Sequence, residues 1–409
     1  MPRSPRTRTV LIGIATALTL AVSTVAVQPV LADESPRSAA PPQAMAPATF
    51  THPGVLVSRQ QLDFIRTKVL AGAQPWTSAY NQMMSHGLMS QSRVPRPRAV
   101  VECGSFSNPN LGCTDERQDA IAAYSNALAW YVTRDARYAN KAIQLMDAWS
   151  AVLRDHTNSN APLQSAWSAS AWPRAAEIIR YTYTGWSAAN IARFGTMLRN
   201  VYLPEVINGS FSNGNWELSM MEAAIGIAVF LEDRTAYDRA VAKFRTRVRA
   251  FIYLTSDGAY PLAAPGSGHN TRAQIVSYWH GLNTFVDGVA QETCRDFVHT
   301  GYGLAAIAQF AETTRIQGQS LYPEIQDRLR TALGLHARYE LGEAAPSWLC
   351  GGTIQRGLGP VTEIGYNHLN TRLGIAMANT QRLVESRRPS GTNILFIAWT
   401  TLTHAQNPS

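Results

Sequence analysis

The chain has 409 residues, of which 45% are hydrophobic and 16% are charged, and its formal net charge is +8 at pH 7. A basic balance favours polyanionic partners. Nucleic acid is excluded as the first choice, because the chain has no runs of Lys and Arg and lysine is almost absent. Dispersed arginines suit carboxylates, since the guanidinium fork pairs with a carboxylate in bidentate geometry.

The first 32 residues have the pattern of a secretory signal peptide. Arg3, Arg6 and Arg8 precede an apolar stretch over residues 10–27, and a small-residue cleavage site ends at Ala32. The stretch approaches membrane-spanning length, so an anchor is the alternative. Its Ala, Thr and Ser content and the cleavage site favour removal. We therefore predict a secreted protein without a membrane segment after cleavage.

The rest of the chain shows no break in composition. Residues 33–50 include a Pro/Ala-rich segment and are predicted to form a disordered leader. Residues 51–409 form a long chain for one domain with a single hydrophobic core and a short one for two such domains. We predict one catalytic domain over this range, acting as a monomer.

Four cysteines in an oxidising compartment predict two disulfides, for which three pairings are possible. We favour Cys103–Cys113, which closes a short Gly/Asn/Pro loop, together with Cys294–Cys350. A zinc site is the alternative, but Cys-x-x-Cys and paired-His spacings are missing. No metal is therefore expected.

From Gln118 onward, apolar residues recur at three- and four-residue spacing, which predicts amphipathic helices. The predicted helices cover residues 120–133, 136–153, 173–184, 188–201, 217–231, 236–254, 300–316, 322–341, 369–384 and 393–404. Such a succession of helix hairpins builds a solenoid or a closed toroid. The fold class is all-α, and the absence of a fixed-period repeat disfavours the solenoid.

Two long segments interrupt this pattern, at residues 92–115 and 256–292. Loops of this length in a compact domain are usually functional or disordered. The second contains aromatic residues and histidines, which favours a functional role.

The segment that follows carries the clearest chemical signal. On a helix, Arg295, His299 and Tyr302 share one face because they lie four and three residues apart. The apolar residues fall on the opposite side, namely Phe297, Leu304, Ile307, Ala308 and Ala311. An ordinary solvated face is the alternative, but such faces usually carry Lys, Glu and Gln.

Guanidinium, imidazole and phenol groups together suit β-elimination of a uronate polymer. A base removes the proton at C5, and the glycosidic oxygen at C4 then leaves. The C5 proton becomes acidic when donors such as Arg, Asn or His neutralise the adjacent carboxylate. A tyrosinate can take that proton and return one to O4, provided that a cation such as Arg295 lowers its pKa.

The stretch from Arg295 to Leu321 resembles the alginate lyases, in which an Arg stands seven residues before the catalytic Tyr on an inner helix. The likeness places Tyr302 on that tyrosine and Arg295 on that arginine. Residues 213–217 stand where the family carries an Asn-Asn-His-x-Tyr-Trp motif. Asn215 then matches the neutralising asparagine, and Trp216 replaces the histidine. This departure argues against strict polymannuronate activity, and His299 is the candidate for the lost donor.

Looser likeness extends from residue 51 to residue 389, at residues 52–56, 167–177 and 363–368. The resemblance implies an incomplete (α/α) toroid with a long central cleft. It also implies an acidic polysaccharide substrate such as alginate, glucuronan or a related uronan, and no cofactor. The expected substrate-binding residues are Trp167, Trp172, Arg174, Trp216, Arg272, Tyr278, His280, Asn367, His368 and Arg372.

Several of these assignments have alternatives. Asn215 also suits an N-cap of the helix beginning near Trp216. The two tryptophans at 167 and 172 also suit the core, and polar residues in a Gly/Asn turn at 367–368 need no function. Arg272 and Tyr278, six residues apart in the long loop, are a rival catalytic pair.

Two other functions fit a helical toroid. A glycoside hydrolase requires two carboxylic acids that flank the bond, for which Glu217, Glu222, Glu292 and Asp296 are the candidates. A uronan-binding protein without activity would keep the Arg and Trp contacts and would not need Tyr302.

Overall fold

The computed structural model describes residues 49–409, so the predicted signal peptide and most of the predicted leader lie outside the described residues. Helices dominate this range. In chain order they are α1 (Arg59–Leu70), α2 (Trp76–Ser85), α3 (Cys113–Thr133), α4 (Ala136–Val152), α5 (Ala161–Thr182), α6 (Ala188–Met197), α7 (Leu203–Val206), α8 (Gly214–Leu231), α9 (Arg234–Phe251), α10 (Arg272–Tyr278), α11 (Phe297–Ile316), α12 (Tyr322–Glu340), α13 (Glu363–Tyr366), α14 (Ala378–Arg387) and α15 (Thr400–His404).

The long helices form two layers that alternate along the chain. α3, α5, α8 and α11 are buried over most of their surface and pack on one another in the order α3–α5–α8–α11. α4, α9 and α12 each follow an inner helix, bury one face against it and expose the other. This inner and outer arrangement of helix hairpins is an α/α toroid, which confirms the predicted fold class.

A small sheet accompanies the first inner helices. β1 (Val100–Cys103) pairs antiparallel with β2 (Asn110–Leu111) and parallel with β3 (Asp155–Thr157), in the order β2-β1-β3. The segment 92–115 was predicted as a loop, and β1 and β2 turn its second half into a hairpin. The tip of that hairpin faces the cleft described below.

Both predicted disulfides are present. Cys103 is bonded to Cys113, with 5.9 Å between their Cα atoms, and Cys294 to Cys350, with 5.1 Å. The first joins β1 to the start of α3, and the second joins residue 350 to the residue before Arg295. The zinc alternative is therefore wrong, since all four thiols are used.

Several predicted helix limits are wrong. α5 begins at Ala161 and continues through Pro173, which the prediction took as the first helical residue. α1 and α2 were not predicted. Residues 373–377 interrupt the predicted helix 369–384, at Gly374 with φ of 70°. Residues 393–399 are not helical, because the side-chain oxygen of Asn393 accepts the backbone N–H groups of residues 395–397 and competes with helix formation.

Within residues 49–409, no helix combines the length and the apolar character needed to cross a bilayer.

Candidate active site

The start of α11 assembles the first group of polar side chains. Asp296 caps the helix, because its carboxylate accepts the backbone N–H of His299 at 2.7 Å. The same carboxylate lies 2.7 Å from Nδ1 of His299. On the other side of the ring, Nε2 of His299 lies 3.0 Å from Nη2 of Arg295. The imidazole is therefore held between a carboxylate and a guanidinium.

Tyr302 lies one turn further along α11 and is half-buried. Its ring centroid is 5.6 Å from that of His299, 6.2 Å from that of Trp167 and 6.0 Å from that of Phe396. Among residues 49–409 its hydroxyl has no hydrogen-bond partner. The structure thus brings Arg295, His299 and Tyr302 together, but Arg295 lies in the turn before α11 and not on the helix as predicted. Within residues 49–409 the phenol oxygen is left without a partner.

The environment of Tyr302 differs from the expectation in one respect. Burial raises the pKa of the phenol, the carboxylate of Asp296 raises it further, and the cations of Arg117 and Arg295 oppose both effects. The net direction is upward. Arg295 lowers the pKa of the phenol as expected, but partial burial beside a carboxylate outweighs the two cations, so the pKa does not fall below its ordinary value.

Arg117 is a cation at this site that the sequence analysis missed. It lies on α3 and is nearly buried, with its guanidinium carbon 5.5 Å from the centroid of the Trp167 ring. Nη1 donates to Oε1 of Gln164 at 2.5 Å, and burial lowers the pKa of Arg117. No clear signal for it was present in the sequence, because Arg117 stands among other polar residues in the first turns of α3.

Glu292 lies beneath the site between α8 and the start of α11, and it is fully buried. It accepts hydrogen bonds from Nδ2 of Asn215 at 2.7 and 2.8 Å, from the backbone N–H of Asn215 at 3.1 Å and from Nη1 of Arg295 at 2.8 Å. Burial raises the pKa of Glu292, and Asn215 and Arg295 oppose that shift.

This arrangement changes both interpretations of Asn215. The residue is not the N-cap of α8, which begins at Gly214. Its amide group is bound to Glu292 and fully buried, so it does not point a free donor at a substrate carboxylate. Asn215 supports Arg295 through their shared carboxylate partner.

An open cleft of about 320 Å³ lies over these groups. Trp167 and Trp216 line it, as predicted substrate-binding residues should, together with Arg295 and His299. The remaining lining residues are Ser105, Phe106, Ser107, Asn160, Leu163, Ser212 and Asn213. Tyr302 lies beside this volume, in contact with the rings of Trp167 and His299.

His280 lies at the edge of the cleft. Its Nε2 is 3.2 Å from Oδ1 of Asn213, and its ring is exposed. Burial of part of the ring and the cation of Arg295 lower the pKa of His280 against the opposing effect of Asp296. A neutral imidazole at this place is consistent with the predicted substrate contact.

Two predicted substrate-binding residues lie in the core instead. Trp172 is fully buried, contacts Trp149 and Phe194, and donates to the hydroxyl of Tyr202 at 3.0 Å. Arg174 is fully buried and ion-paired with Glu222, at 2.6 Å between Nη2 and Oε1. Both assignments are wrong, because these two residues lie on the sides of α5 that pack against other helices and not on the side that borders the cleft.

The three predicted residues near the C-terminus are also engaged elsewhere. Asn367 is fully buried and donates to the backbone oxygen of Asn407 at 2.9 Å. His368 stacks on Tyr322, with 3.5 Å between ring centroids. Arg372 forms a bidentate pair with Glu312 at 2.8 and 3.0 Å. This cluster stabilises the packing of the chain end on α11, and the predicted substrate contacts there are wrong.

The rival pair in the long loop has other partners. The hydroxyl of Tyr278 donates to the backbone oxygen of Ser212 at 2.7 Å and accepts from Arg247 at 3.1 Å. Arg272 is exposed and contacts the backbone oxygen of Asn283 at 3.5 Å. Tyr278 thus fastens the long loop onto the turn before α8.

The fold has known relatives among solved structures. An alginate lyase A1-III from Sphingomonas species A1 is 14% identical, with a TM-score of 0.58 over 87% of this chain and 97% of that chain. A variant of alginate lyase A1-III complexed with tetrasaccharide is 15% identical, with a TM-score of 0.60 over the same shares. An alginate lyase from Bacteroides ovatus is 11% identical, with a TM-score of 0.55 over 87% of this chain and 99% of that chain.

No curated protein sequence is significantly similar to the chain. The family model for alginate lyase, however, matches residues 104–346, more than half of the chain. This range contains the whole inner layer, from α3 to α11, with the cleft and Tyr302. The chain therefore belongs to the alginate lyase family and is a polysaccharide lyase.

Proposed function

We propose that this lyase is secreted and cleaves a uronate polymer, such as alginate or glucuronan, by β-elimination with Tyr302 as the proton-transfer residue. The observation that carries the proposal is the phenol oxygen of Tyr302, which is free of hydrogen bonds among residues 49–409 and lies beside a cleft lined by Arg295 and His299. A proton-transfer group must have its reacting atom available to substrate.

The reaction needs one proton acceptor and one proton donor. The C5–H bond breaks, its electron pair forms the C4–C5 double bond, the bond from C4 to the glycosidic oxygen breaks, and that oxygen takes a proton. Tyr302 accepts the C5 proton as tyrosinate and returns it to the leaving oxygen as phenol. One residue can serve both steps because the glycosidic oxygen is attached to C4, the ring carbon next to C5.

The substrate carboxylate must be neutralised for C5 to lose its proton. Arg295 presents the guanidinium at the cleft, and Glu292 and His299 hold it there through Nη1 and Nη2. His299 adds an imidazole whose orientation is fixed by Asp296. Arg117, beneath Trp167, contributes a second positive charge near the phenol.

The walls of the cleft suit sugar rings. Trp167 and Trp216 line it, and both expose part of a flat apolar surface beside polar donors. Aromatic faces with nearby hydrogen-bonding groups are typical of carbohydrate sites. Trp216 stands where the resemblance predicts a histidine, so the family's imidazole at that place is replaced here by a stacking surface, with His299 and His280 as the imidazoles near the cleft.

The hydrolase alternative has little support in this cleft. Its lining residues include no Asp or Glu. The four candidate carboxylates are each paired: Glu217 with Arg247, Glu222 with Arg174, Glu292 with Arg295 and Asp296 with His299. A hydrolase requires a carboxylic acid and a carboxylate facing the bond from two sides.

Secretion is supported by the two disulfides, which form and persist in oxidising compartments. The proposed signal peptide itself lies outside the described residues.

The direct test of substrate class is a screen of the mature protein against polymannuronate, polyguluronate, glucuronan and hyaluronan. Elimination leaves a C4–C5 double bond conjugated with the carboxylate, which absorbs in the ultraviolet. We expect absorbance to rise with at least one of these polymers and not with neutral dextran. Sugar release without ultraviolet absorbance would indicate a hydrolase and contradict the proposal.

A further inference from the structure

A second groove lies apart from the Tyr302 cleft, between α12, the start of α14 and the end of the long loop. Its volume is about 440 Å³, larger than the 320 Å³ of the cleft. One face of α12 forms a wall from Arg330 to Tyr339, and Trp348 and residues 376–380 form the others. None of the groups assigned to the reaction lines it.

A glycine leaves this groove open. Gly334 lies in the middle of α12, and a Cβ atom added there would meet nothing within 4 Å. Glycine in a helix interior is about 1 kcal/mol less favourable than alanine. Gly334 therefore weakens the helix although no neighbouring atom requires a glycine there. The missing side chain leaves empty space in the groove.

Unpaired polar groups surround that space. Among residues 49–409, the indole N–H of Trp348 and the amide of Asn379 make no hydrogen bond. The hydroxyl of Thr380 is unpaired as well, although the residue is fully buried. Arg330 has one carboxylate partner within this range, Asp327, whose Oδ1 lies 3.9 Å from Nε of Arg330. The side chain of Asp327 is 71% exposed. Trp348 and Asn379 are half-buried, so their unpaired donors are accessible from the groove, whereas the fully buried hydroxyl of Thr380 is not.

The charges of the groove favour an anion. Arg330 and Arg338 line it with one carboxylate, Asp287, whose Oδ1 accepts the backbone N–H of Thr255 at 2.6 Å. Arg338 is paired with Glu343, but both side chains are about half exposed, and such surface pairs contribute little. The lining thus has two guanidinium groups and one carboxylate, and half-buried Trp348 lies beside them. Such a groove suits a sugar ring that carries a carboxylate.

We propose that this groove is a second uronan-binding site, which holds uronate residues of the polymer that is cut in the Tyr302 cleft. The ligand class rests on the proposed function. Arg330 binds the sugar carboxylate, Trp348 packs on the ring, and Asn379 binds a hydroxyl group. A second site on one enzyme keeps a long chain nearby after each cleavage and raises its effective concentration at the cleft.

Affinity gel electrophoresis of the full chain carrying Tyr302→Phe, in gels containing polymannuronate or polyguluronate, tests the site without cleavage. Gly334→Leu fills the groove without changing its charge, and Arg330→Ala removes one of its two guanidinium groups. Arg249→Ala removes an exposed arginine on α9 and is the matched control. We expect the first two variants to weaken retention about three- to tenfold, as for loss of a charge-assisted contact, and the control to retain normal mobility.

Equal retention of all variants, or equal weakening by Arg330→Ala and Arg249→Ala, would overturn the second site. Thermal melting identifies a variant that has failed to fold, and the two substitutions are independent of each other. In active protein, the same changes should raise KM for polymer and leave kcat on short uronate oligosaccharides unchanged. Failure of the proposed function is seen separately, as absence of unsaturated product from the parent chain.

Discussion

Nη1 of Arg295 lies 2.8 Å from Oε1 of Glu292, a carboxylate that is fully buried between α8 and α11. The same carboxylate binds the amide of Asn215. Arg295 is thereby fixed by the core while one edge of its guanidinium reaches the cleft. In the proposed mechanism, Glu292 positions the arginine that faces the substrate carboxylate.

Glu292→Gln should separate positioning from packing. The substitution keeps the volume, weakens the contact to Arg295 and places an amide donor against the amide of Asn215. We expect stability to fall by about 1–3 kcal/mol, as for an unsatisfied buried group, and kcat to fall at temperatures where the variant is folded. Glu324→Gln, which removes the half-exposed pair with Arg245, is the control and should alter neither. A normal kcat for folded Glu292→Gln would contradict the positioning role of Glu292.

The raised pKa of Tyr302 predicts an alkaline enzyme. Because the ionised phenol is the base, the rate should increase about tenfold per pH unit until the pH reaches the pKa of the phenol. Arg117→Gln removes a cation that lowers this pKa, so the alkaline limb should move to higher pH and kcat at a fixed pH should fall about three- to tenfold. Arg134→Gln, at the other end of α3, is the control. A profile of kcat that is flat above neutral pH would contradict the role of tyrosinate.

Buried histidines predict acid lability. Burial lowers the pKa of His336 to about 4, and that of His404 likewise to about 4. The unfolded chain binds protons at these residues below about pH 6.5, whereas the folded chain does not until about pH 4, so stability should fall as the pH is lowered through this window. Each residue contributes up to about 3 kcal/mol. Tm should decrease between pH 7 and pH 5, and His336→Gln should reduce that decrease. An unchanged slope in this variant would contradict the assignment.

The Cys294–Cys350 disulfide should stabilise the start of the catalytic helix. It closes a loop with a sequence separation of 56, which corresponds to roughly 4 kcal/mol in the chain-entropy model. Cys294→Ser with Cys350→Ser should lower Tm and also reduce activity, because residue 294 is adjacent to Arg295. Cys103→Ser with Cys113→Ser, which opens a loop with a separation of 10, should lower Tm less. The reverse order of Tm values would contradict the loop-length argument.

Local spacing predicted the part of the site that lies on one helix. His299 and Tyr302 are related by the helical repeat of α11 alone, whereas Arg295 lies in the turn before Asp296 and is held beside them by Glu292 and His299. Arg117 comes from α3 and Glu292 acts between α8 and α11, and only tertiary packing brings them to the same place.

The errors have a common physical origin. Trp167 and Trp172 lie on α5 about 140° apart around its axis, since five residues turn a helix through about 500°. One faces the cleft and the other the core, but the sequence shows two aromatic residues on a helix whose polar residues are spread around its axis and mark no solvent-facing side. When a helix is buried on every side, its pattern no longer indicates which face borders a cavity. Arg174 on the same helix was misassigned for that reason.

The most direct test of the account is the rate of ultraviolet absorbance increase with a uronan substrate for Tyr302→Phe and Tyr278→Phe. Each variant keeps its ring and loses only the hydroxyl oxygen. We predict that Tyr302→Phe lowers kcat by at least the roughly 10²–10⁴ typical of a lost general acid or base, with Tm nearly unchanged because that hydroxyl has no partner within residues 49–409. Tyr278→Phe should lose its contacts with Ser212 and Arg247 and retain most of its turnover. Near-normal turnover by Tyr302→Phe together with an inactive Tyr278→Phe would contradict the account and assign the chemistry to the long loop.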